Sequence, residues 1–256
     1  MGDPAAQSGW VPSADAAEVW LARLDTLAEP LAELEMSDPI CPAGEVAEFD
    51  PFRRAARQLL RRLIARTFGR SFAEVPFAAG PHGKPCVPGL PGDFNLSHTG
   101  AKEAGAFALI GIGPAASIGV DLEQSRIVRL DSRRRAKIAE AAIRAAEGAE
   151  LPPDEEARIL QAWVRLEAWG KAEGRGIGRT LTHFGIWGRE TGALSASKEP
   201  GGAALVVFDV DAGPGLWGAV AVPRASQRPP LHTVPEDPIA ACRLLAGLPE
   251  AGQIRR

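Results

Sequence analysis

Three carboxylates and one lysine, carried by two short motifs, are the side chains of this chain best suited to chemistry. They are Asp121, Glu123, Glu167 and Lys171. In proteins Mg²⁺ is usually bound by one or two carboxylates, keeps several waters and takes a substrate phosphate as a further ligand. A lysine beside those carboxylates adds a positive charge for the same phosphate. The four residues therefore predict a site for a divalent cation beside an anionic phosphate ligand, which indicates an enzyme rather than a scaffold.

The first motif is predicted to be a strand over residues 117–123. Side chains alternate between the two faces of a strand, so Asp121 and Glu123 are expected on one face, where Gly119 leaves room. Two acids on the solvent face of an edge strand are common. The Asp-x-Glu spacing alone is therefore a weak signal for a metal.

The second motif is predicted to be a helix over residues 163–171. Residues four apart stack on a helix, so Trp163, Glu167 and Lys171 form one stripe. An exposed Glu–Lys pair at this spacing is usually a surface ion pair that contributes about 0.3–0.5 kcal/mol. The tryptophan on the same stripe indicates that this face is covered, and a covered carboxylate needs a partner.

Composition and charge exclude several classes of protein. The net charge is −3 and the pI is near 5.9, which argues against a general nucleic-acid binder. The three cysteines lie far apart and fit neither a disulfide framework nor a zinc site. The sequence shows no secretory signal, and no apolar segment approaches the roughly 20 residues of a membrane helix. We therefore expect a cytoplasmic protein that binds neither nucleic acid nor membrane.

Helices and short strands follow one another in two blocks. The predicted elements are a weak helix near 18–34, a helix over 51–68, strands over 94–98, 103–110 and 117–122, helices over 126–146 and 152–173, strands over 183–187, 203–210 and 217–222, and a short helix over 239–246. Strands of antiparallel type beside helices predict an α+β fold. Each block has too few strands to be stable alone, so the two halves are expected to share an interface.

Other polar features have simpler explanations. His98 follows an apolar strand, and a lone histidine there is more often a hydrogen-bonded structural group than a ligand. The basic run from Arg126 to Lys137 is most simply a solvated helix face, although it could also bind an acidic partner. Neither a Walker A nor a GxGxxG motif occurs.

Taken together, the motifs resemble the 4′-phosphopantetheinyl transferase superfamily, in its long, surfactin-synthetase-activating type. The matching segments are Gly83-Lys84-Pro85, Phe94-Asn95-Leu96-Ser97-His98-Thr99, Ile118–Glu123, and Trp163–Lys171 followed by Gly174-Arg175-Gly176. The resemblance implies two pseudo-symmetric α+β halves, each a small antiparallel sheet packed with helices, which form an intramolecular pseudodimer. The halves would be residues 1–115 and 116–223, with a C-terminal extension over 224–256.

The resemblance also implies a reaction. Coenzyme A would bind between the halves, and its pyrophosphate would share one Mg²⁺ with Asp121, Glu123 and Glu167. Lys171 would contact the pyrophosphate, and Glu167 could deprotonate the acceptor serine. The phosphopantetheine group would pass to an apo carrier protein and release adenosine 3′,5′-bisphosphate. Asp121, Glu167 and Lys171 would thus be the catalytic residues.

The remaining implied contacts concern the far end of coenzyme A and the acceptor. The 3′-phosphate of the adenosine would be bound by His98, with Lys84, Ser97 and one arginine of the 53–57 helix, assigned to Arg53, nearby. The acidic carrier protein would dock near the run from Arg126 to Lys137. A built-in pseudodimer makes a monomer the simplest expectation.

The chain departs from the family pattern at Leu166, where a lysine is usual. Arg165 cannot replace that lysine, because an ideal helix places it about 160° from Glu167. Two alternatives therefore stay open. One is a non-catalytic relative that binds carrier protein or coenzyme A. The other is an unrelated Mg²⁺-dependent phosphotransferase or phosphohydrolase.

Overall fold

The computed structural model describes residues 16–37, 50–70, 75–80, 83–101, 105–114, 117–187 and 204–246. In chain order the strands are β1 (Glu18–Arg23), β2 (Ala78–Ala79), β3 (Pro85–Cys86), β4 (Asp93–Ala101), β5 (Gly105–Gly113), β6 (Gly119–Gln124), β7 (Leu205–Val210), β8 (Leu216–Pro223) and β9 (Leu231–Thr233). The helices are α1 (Leu24–Ser37), α2 (Pro51–Thr67), α3 (Ser132–Ala145), α4 (Glu155–Ala172), α5 (Ile177–His183) and α6 (Pro238–Ala246).

The strands form two main sheets and one short ribbon. The first sheet has the order β4-β5-β1-β9, in which only β9 runs parallel to its neighbour β1. The second sheet is antiparallel with the order β6-β8-β7, and β2 pairs with β3. The predicted α+β class is confirmed.

Three apolar clusters arrange the molecule in layers. One cluster lies between the first sheet and helices α1, α2 and α6, and it contains Leu59 and Ile110. A second lies between the second sheet and helices α3 and α4. The third lies between the two sheets, where Leu109 of β5 packs with Val120 of β6 and Val220 of β8. Each main sheet thus has helices on one face and the other sheet on its second face.

The edge strands β4 and β6 are joined by a ladder of side-chain hydrogen bonds, which we call the β4–β6 ladder. Side-chain oxygens of alternate β4 residues accept from the backbone N–H of Ile118, which directly precedes β6, and from alternate backbone N–H groups of β6. The acceptor–donor pairs are Asp93–Ile118 at 2.8 Å, Asn95–Val120 at 2.9 Å, Ser97–Leu122 at 3.2 Å and Thr99–Gln124 at 3.3 Å. The ladder fixes the register of the two strands and covers the N–H groups that β6 does not use toward β8.

Gly119 lets helix α4 approach strand β6 closely. A Cβ atom at this position would lie 2.1 Å from the carbonyl oxygen of Ala168 and 2.3 Å from the backbone nitrogen of Ala172. Any other residue would push the helix backbone away. Gly119 therefore does more than leave the carboxylate face uncrowded, because it sets how closely α4 approaches Asp121.

Three aspartates define where helices begin. The carboxylates of Asp50, Asp131 and Asp154 accept backbone N–H groups in the first turns of α2, α3 and α4. The helix predicted from residue 126 therefore starts only at Ser132, and that predicted boundary is wrong. Residues 126–130 form neither helix nor strand.

Two other predicted elements are wrong. The weak helix over 18–34 is strand β1 followed by helix α1, because the first residues pair with β5 and β9. The predicted strand over 183–187 is the end of α5 and a turn, where Phe184 packs edge-on against Trp169 of α4. Tertiary contacts decide both segments. Part of the strand predicted over 103–110 lies outside the described residues, and β5 covers the rest.

The last described segment belongs to the first layer of helices. Strand β9 pairs with β1, and Ala241 and Leu245 of α6 join the cluster of α1 and α2. The predicted short helix over 239–246 is confirmed. The boundaries predicted at 115 and 223 stay predictions. Within the described ranges, no helix is both long and apolar enough to span a bilayer.

We expect Gly119→Ala to lower the free energy of unfolding by about 2–3 kcal/mol, because the added methyl overlaps the α4 backbone. Urea denaturation measures the change. Gly178→Ala is the matched control, since its Cβ would meet only Trp187, at 3.9 Å, and alanine favours a helix. Equal stability of the two variants would contradict the close-approach argument.

Candidate active site

Asp121 is the buried centre of the candidate site. Its side chain lies on the α4 face of β6 and the residue is only 4% exposed. Oδ1 accepts hydrogen bonds from Ser97 Oγ at 2.9 Å and from Lys171 Nζ at 2.6 Å. Within the described part of the chain, Oδ2 has no hydrogen-bond partner. One carboxylate oxygen is therefore held in place, and the other is left to a ligand that the protein itself does not supply.

Glu167 lies beside this carboxylate, as the predicted helical stripe requires. The pKa of Glu167 is raised from 4.5 to about 7, chiefly by burial and next by the charge of Asp121. The Lys171 ammonium opposes the rise, and smaller effects come from Glu123, which raises this pKa, and Arg126, which lowers it. The carboxylates thus repel one another within a site of reduced solvation.

Glu123 is paired with an arginine that the motif did not predict for this site. Arg126 Nε and Nη2 donate to the two carboxylate oxygens of Glu123 at 3.1 and 2.8 Å. The pKa of Arg126 is raised by this hydrogen bonding and by the charges of Glu123, Asp121 and Glu167. Arg126 and Lys171 are therefore the two protein cations that neutralise the carboxylate cluster of Asp121, Glu123 and Glu167.

The carboxylate cluster suits a hard cation in its donor chemistry. Its ligands would be carboxylate oxygens, which Mg²⁺ prefers, and Oδ2 of Asp121 lacks a donor. As the side chains are placed, however, no group of three or more acidic, histidine or cysteine residues in the described ranges is close enough to hold one ion. Lys171 Nζ would have to leave Oδ1 for a cation to share it. The metal site stays a prediction.

A groove with a volume of about 250 Å³ adjoins the cluster. It lies between the segment before β3, strand β4 and the C-terminal end of α4. Three cations line it: Lys84, Lys171 and Arg175. Two of the matching sequence segments, Gly83-Lys84-Pro85 and Gly174-Arg175-Gly176, face each other across it. Lys171 belongs to both the groove and the carboxylate cluster, so an anion in the groove would lie next to the carboxylates.

Lys84 is anchored to the end of the β4–β6 ladder. Its Nζ donates to Asp93, which accepts the first rung, and to the carbonyl oxygen of Ile118 at 2.9 Å. The side chain is 16% exposed and lines the groove. Lys84 therefore joins the groove to the interface between the sheets.

Two of the other residues expected at the 3′-phosphate, Ser97 and His98, lie on opposite faces of β4. Ser97 is buried against Asp121. His98, as the next residue of β4, lies on the opposite face, and it is partly exposed. Arg53 is exposed in the first turn of α2. Phosphate binding by all three stays a prediction.

Leu166, which stands where the family usually has a lysine, points into the protein core and not into the candidate site. Leu166 is fully buried in the apolar cluster of the second sheet. Arg165 is also fully buried and donates to the two oxygens of Asp209 at 2.7 and 2.6 Å. The prediction that Arg165 does not replace the lysine is confirmed, and its role in the structure is to join α4 to β7.

Most of the basic run is engaged by local partners. The contacts are Arg126 with Glu123, Arg134 with Asp131, Arg135 with Glu155 and Glu156, and Lys137 with the carbonyl oxygen of Gly185. Such pairs reduce the charge that is available to an external partner. Docking of a carrier protein near Arg126–Lys137 stays a prediction.

Two groups of site residues were missed in the sequence. Arg126 was assigned to a docking surface, whereas it contacts Glu123. Among the ladder residues of β4, only Ser97 has a predicted role, as a phosphate contact, although a polar side chain at every second position from Asp93 to Thr99 is a visible signal. That period of two places all four on one face of the strand.

Sequence comparison with known proteins tests the family that the motifs predict. No protein-family model matches the chain. It is 28% identical over 171 residues to the 4′-phosphopantetheinyl transferase ffp of Bacillus subtilis, a match that covers 65% of this chain and 71% of that protein. A second 4′-phosphopantetheinyl transferase of Bacillus subtilis is 25% identical over 159 residues, which cover 60% of this chain and 66% of the relative. The chain is a relative of the 4′-phosphopantetheinyl transferases. The predicted superfamily, and with it an enzyme of this kind, is confirmed.

The raised pKa of Glu167 predicts how stability depends on pH. The folded protein binds this proton more tightly than the unfolded chain does, so the contribution is full below about pH 4.5 and is lost as pH rises through about 7. Glu167→Gln cannot titrate. Its unfolding free energy relative to the parent should therefore rise by about 2 kcal/mol between pH 5 and pH 8, measured by urea denaturation in EDTA. A difference that does not vary with pH would contradict the raised pKa.

The burial of Leu166 predicts the effect of restoring the family lysine. Leu166→Lys places an unpaired ammonium in an apolar cluster and should lower the free energy of unfolding by about 3 kcal/mol or more. Leu166→Met keeps volume and polarity and should cost less than about 1.5 kcal/mol. A lysine variant as stable as the parent, with tighter coenzyme A binding, would show that position 166 can reach the site.

Proposed function

We propose that this protein transfers the 4′-phosphopantetheine group from coenzyme A to a serine of an apo carrier protein, in a reaction that depends on Mg²⁺ and releases adenosine 3′,5′-bisphosphate. One observation carries the proposal: Lys171 lies at once on a groove lined by cations and on the carboxylate cluster. A pyrophosphate needs positive charge, and a divalent cation needs carboxylate oxygens. The two named relatives support the same reaction.

In this proposal the groove binds the pyrophosphate. Lys171 and Arg175 would supply the charge that a phosphoryl-type transfer requires, since such reactions need mainly positioning and charge neutralisation. Lys171 would turn from Asp121 toward a phosphate oxygen. The ammonium then stabilises the charge of the leaving group rather than that of the protein.

The carboxylate cluster would hold the metal. Asp121, Glu123 and Glu167 would offer oxygens to one Mg²⁺, which would neutralise charge on the pyrophosphate when bound. Glu167 would also accept the proton of the acceptor serine, directly or through a water. Arg126 would keep Glu123 oriented through its two hydrogen bonds.

The remaining contacts complete the proposal. His98, Lys84, Ser97 and Arg53 would surround the 3′-phosphate. An acidic carrier protein would dock near the segment 126–137. Electrostatic docking of this kind raises association rates and weakens with salt.

The proposed architecture is the long, pseudodimeric type. It would consist of halves over 1–115 and 116–223 with an extension over 224–256, acting as a cytoplasmic monomer. The layered arrangement supports it, because two sheets face each other and each carries helices on its outer side. Coenzyme A would lie where β4 of one half meets α4 of the other.

The test is intact-mass analysis of a panel of apo carrier proteins incubated with coenzyme A and either Mg²⁺ or EDTA. We expect the mass of one phosphopantetheine to be gained only with Mg²⁺. Asp121→Asn should slow the transfer by about 100-fold or more, because it removes a charged ligand of the cation. Asp211→Asn is the control, since it changes the same type of residue at an exposed position directly after β7.

Three results would contradict the proposal. Transfer that is unchanged in EDTA would exclude the metal. Coenzyme A binding without transfer to any carrier would favour a non-catalytic relative. Hydrolysis of phosphate esters in the absence of a carrier would favour an unrelated phosphohydrolase.

A further inference from the structure

The hydroxyl of Ser97 has a complete set of hydrogen bonds at the centre of the site. It donates to Oδ1 of Asp121 at 2.9 Å, and it accepts from the backbone N–H of Leu122 at 3.2 Å and from Lys171 Nζ at 3.1 Å. A serine hydroxyl has one donor and two acceptor positions, and all three are used. The residue is 6% exposed. Ser97 therefore has fixed partners and little contact with solvent.

The position of Ser97 in the β4–β6 ladder distinguishes it from the other rungs. Among the described residues, Thr99 accepts only a backbone N–H, from Gln124. Ser97 also contacts the side chains of Asp121 and Lys171. Through these hydrogen bonds, Ser97 connects the β4–β6 ladder to the carboxylate cluster.

We propose that Ser97 is a positioning residue, which orients Asp121 so that its second oxygen is presented to a divalent cation. This inference rests on the proposed function and assigns the Ser97 hydroxyl to Asp121, whereas the family resemblance implies a phosphate contact for this residue. The Ser97 hydroxyl holds Oδ1, and Oδ2 is the buried oxygen without a donor in the described part of the chain. The hydrogen bond fixes the plane of the carboxylate, so that one oxygen accepts from Ser97 and the other is left without a donor among the described residues.

The role of Ser97 becomes more important when the site is loaded. If Lys171 turns toward a phosphate in the groove, Oδ1 loses the ammonium and keeps the hydroxyl. Hydrogen bonds to a ligating carboxylate commonly change metal affinity 10–100-fold when they are removed. The same hydroxyl accepts the N–H of Leu122, so the strand that carries Asp121 and its side chain are held by one group.

The test compares Mn²⁺ binding by the full chain and its variants with coenzyme A present in every sample. Electron paramagnetic resonance measures free Mn²⁺, and samples without protein correct for Mn²⁺ bound by coenzyme A alone. Ser97→Ala should bind Mn²⁺ about 10-fold more weakly than the parent. Thr99→Val removes a neighbouring rung without touching the carboxylate and should leave Mn²⁺ affinity within about 2-fold of the parent. Ser97→Thr keeps the hydroxyl and should restore most of the affinity.

A second readout separates positioning from general loosening of the interface. In the transfer assay, Ser97→Ala should raise the Mg²⁺ concentration for half-maximal rate by about 10-fold and change the rate at saturating Mg²⁺ much less. Equal Mn²⁺ affinity of Ser97→Ala and the parent would overturn the inference and leave the proposed function intact. An equal loss in Thr99→Val would overturn it too, because the effect would then belong to the interface. Failure of the parent itself to bind Mn²⁺ would overturn both.

Discussion

The β4–β6 ladder is the constraint on which the rest of this structure depends. Two edge strands meet without ordinary sheet pairing, and four side-chain oxygens take the place of backbone carbonyls. Each bond contributes only about 1 kcal/mol net, but an unpaired buried N–H would cost more. The four acceptor residues stand at every second position of β4. This spacing fixes one register, since a slip by one residue would turn the acceptors away from β6. That register places Asp121 beside Ser97 and positions α4 through Gly119.

The interface between α4 and β6 holds three carboxylates of like charge close together. Asp121, Glu123 and Glu167 repel one another in a poorly solvated site, and the raised pKa of Glu167 is the consequence. Two cations reduce the repulsion: Arg126 through Glu123, and Lys171 through Asp121. A buried arrangement of this kind is unfavourable for folding alone, because desolvation opposes it. The fold retains it by rigid packing of α4 on β6.

Local periodicity predicted much of the site. The alternation in β6 put Asp121 and Glu123 on one face and Val120 and Leu122 on the other, and the structure confirms that division. It adds that Val120 and Leu122 lie in the core between the sheets, whereas Asp121 faces α4. The spacing of four in α4 placed Glu167 and Lys171 near the same carboxylate. Nothing local predicted Arg126 on Glu123, because residues 126–131 have the composition of a helix until Asp131 caps one. The burial of Leu166 depends on packing between α4 and the second sheet, which sequence spacing does not give.

Lys171 links the charge balance of the free protein to that of the loaded one. Its ammonium now lies 2.6 Å from Asp121, where it compensates a carboxylate that the solvent cannot reach. A cation bound by the cluster would make this compensation unnecessary, and an anion in the groove would attract the released ammonium. Each ligand thereby favours the other through a single side chain. Coupling of this kind is reciprocal, so the metal and the phosphate ligand should each bind more tightly when the other is present.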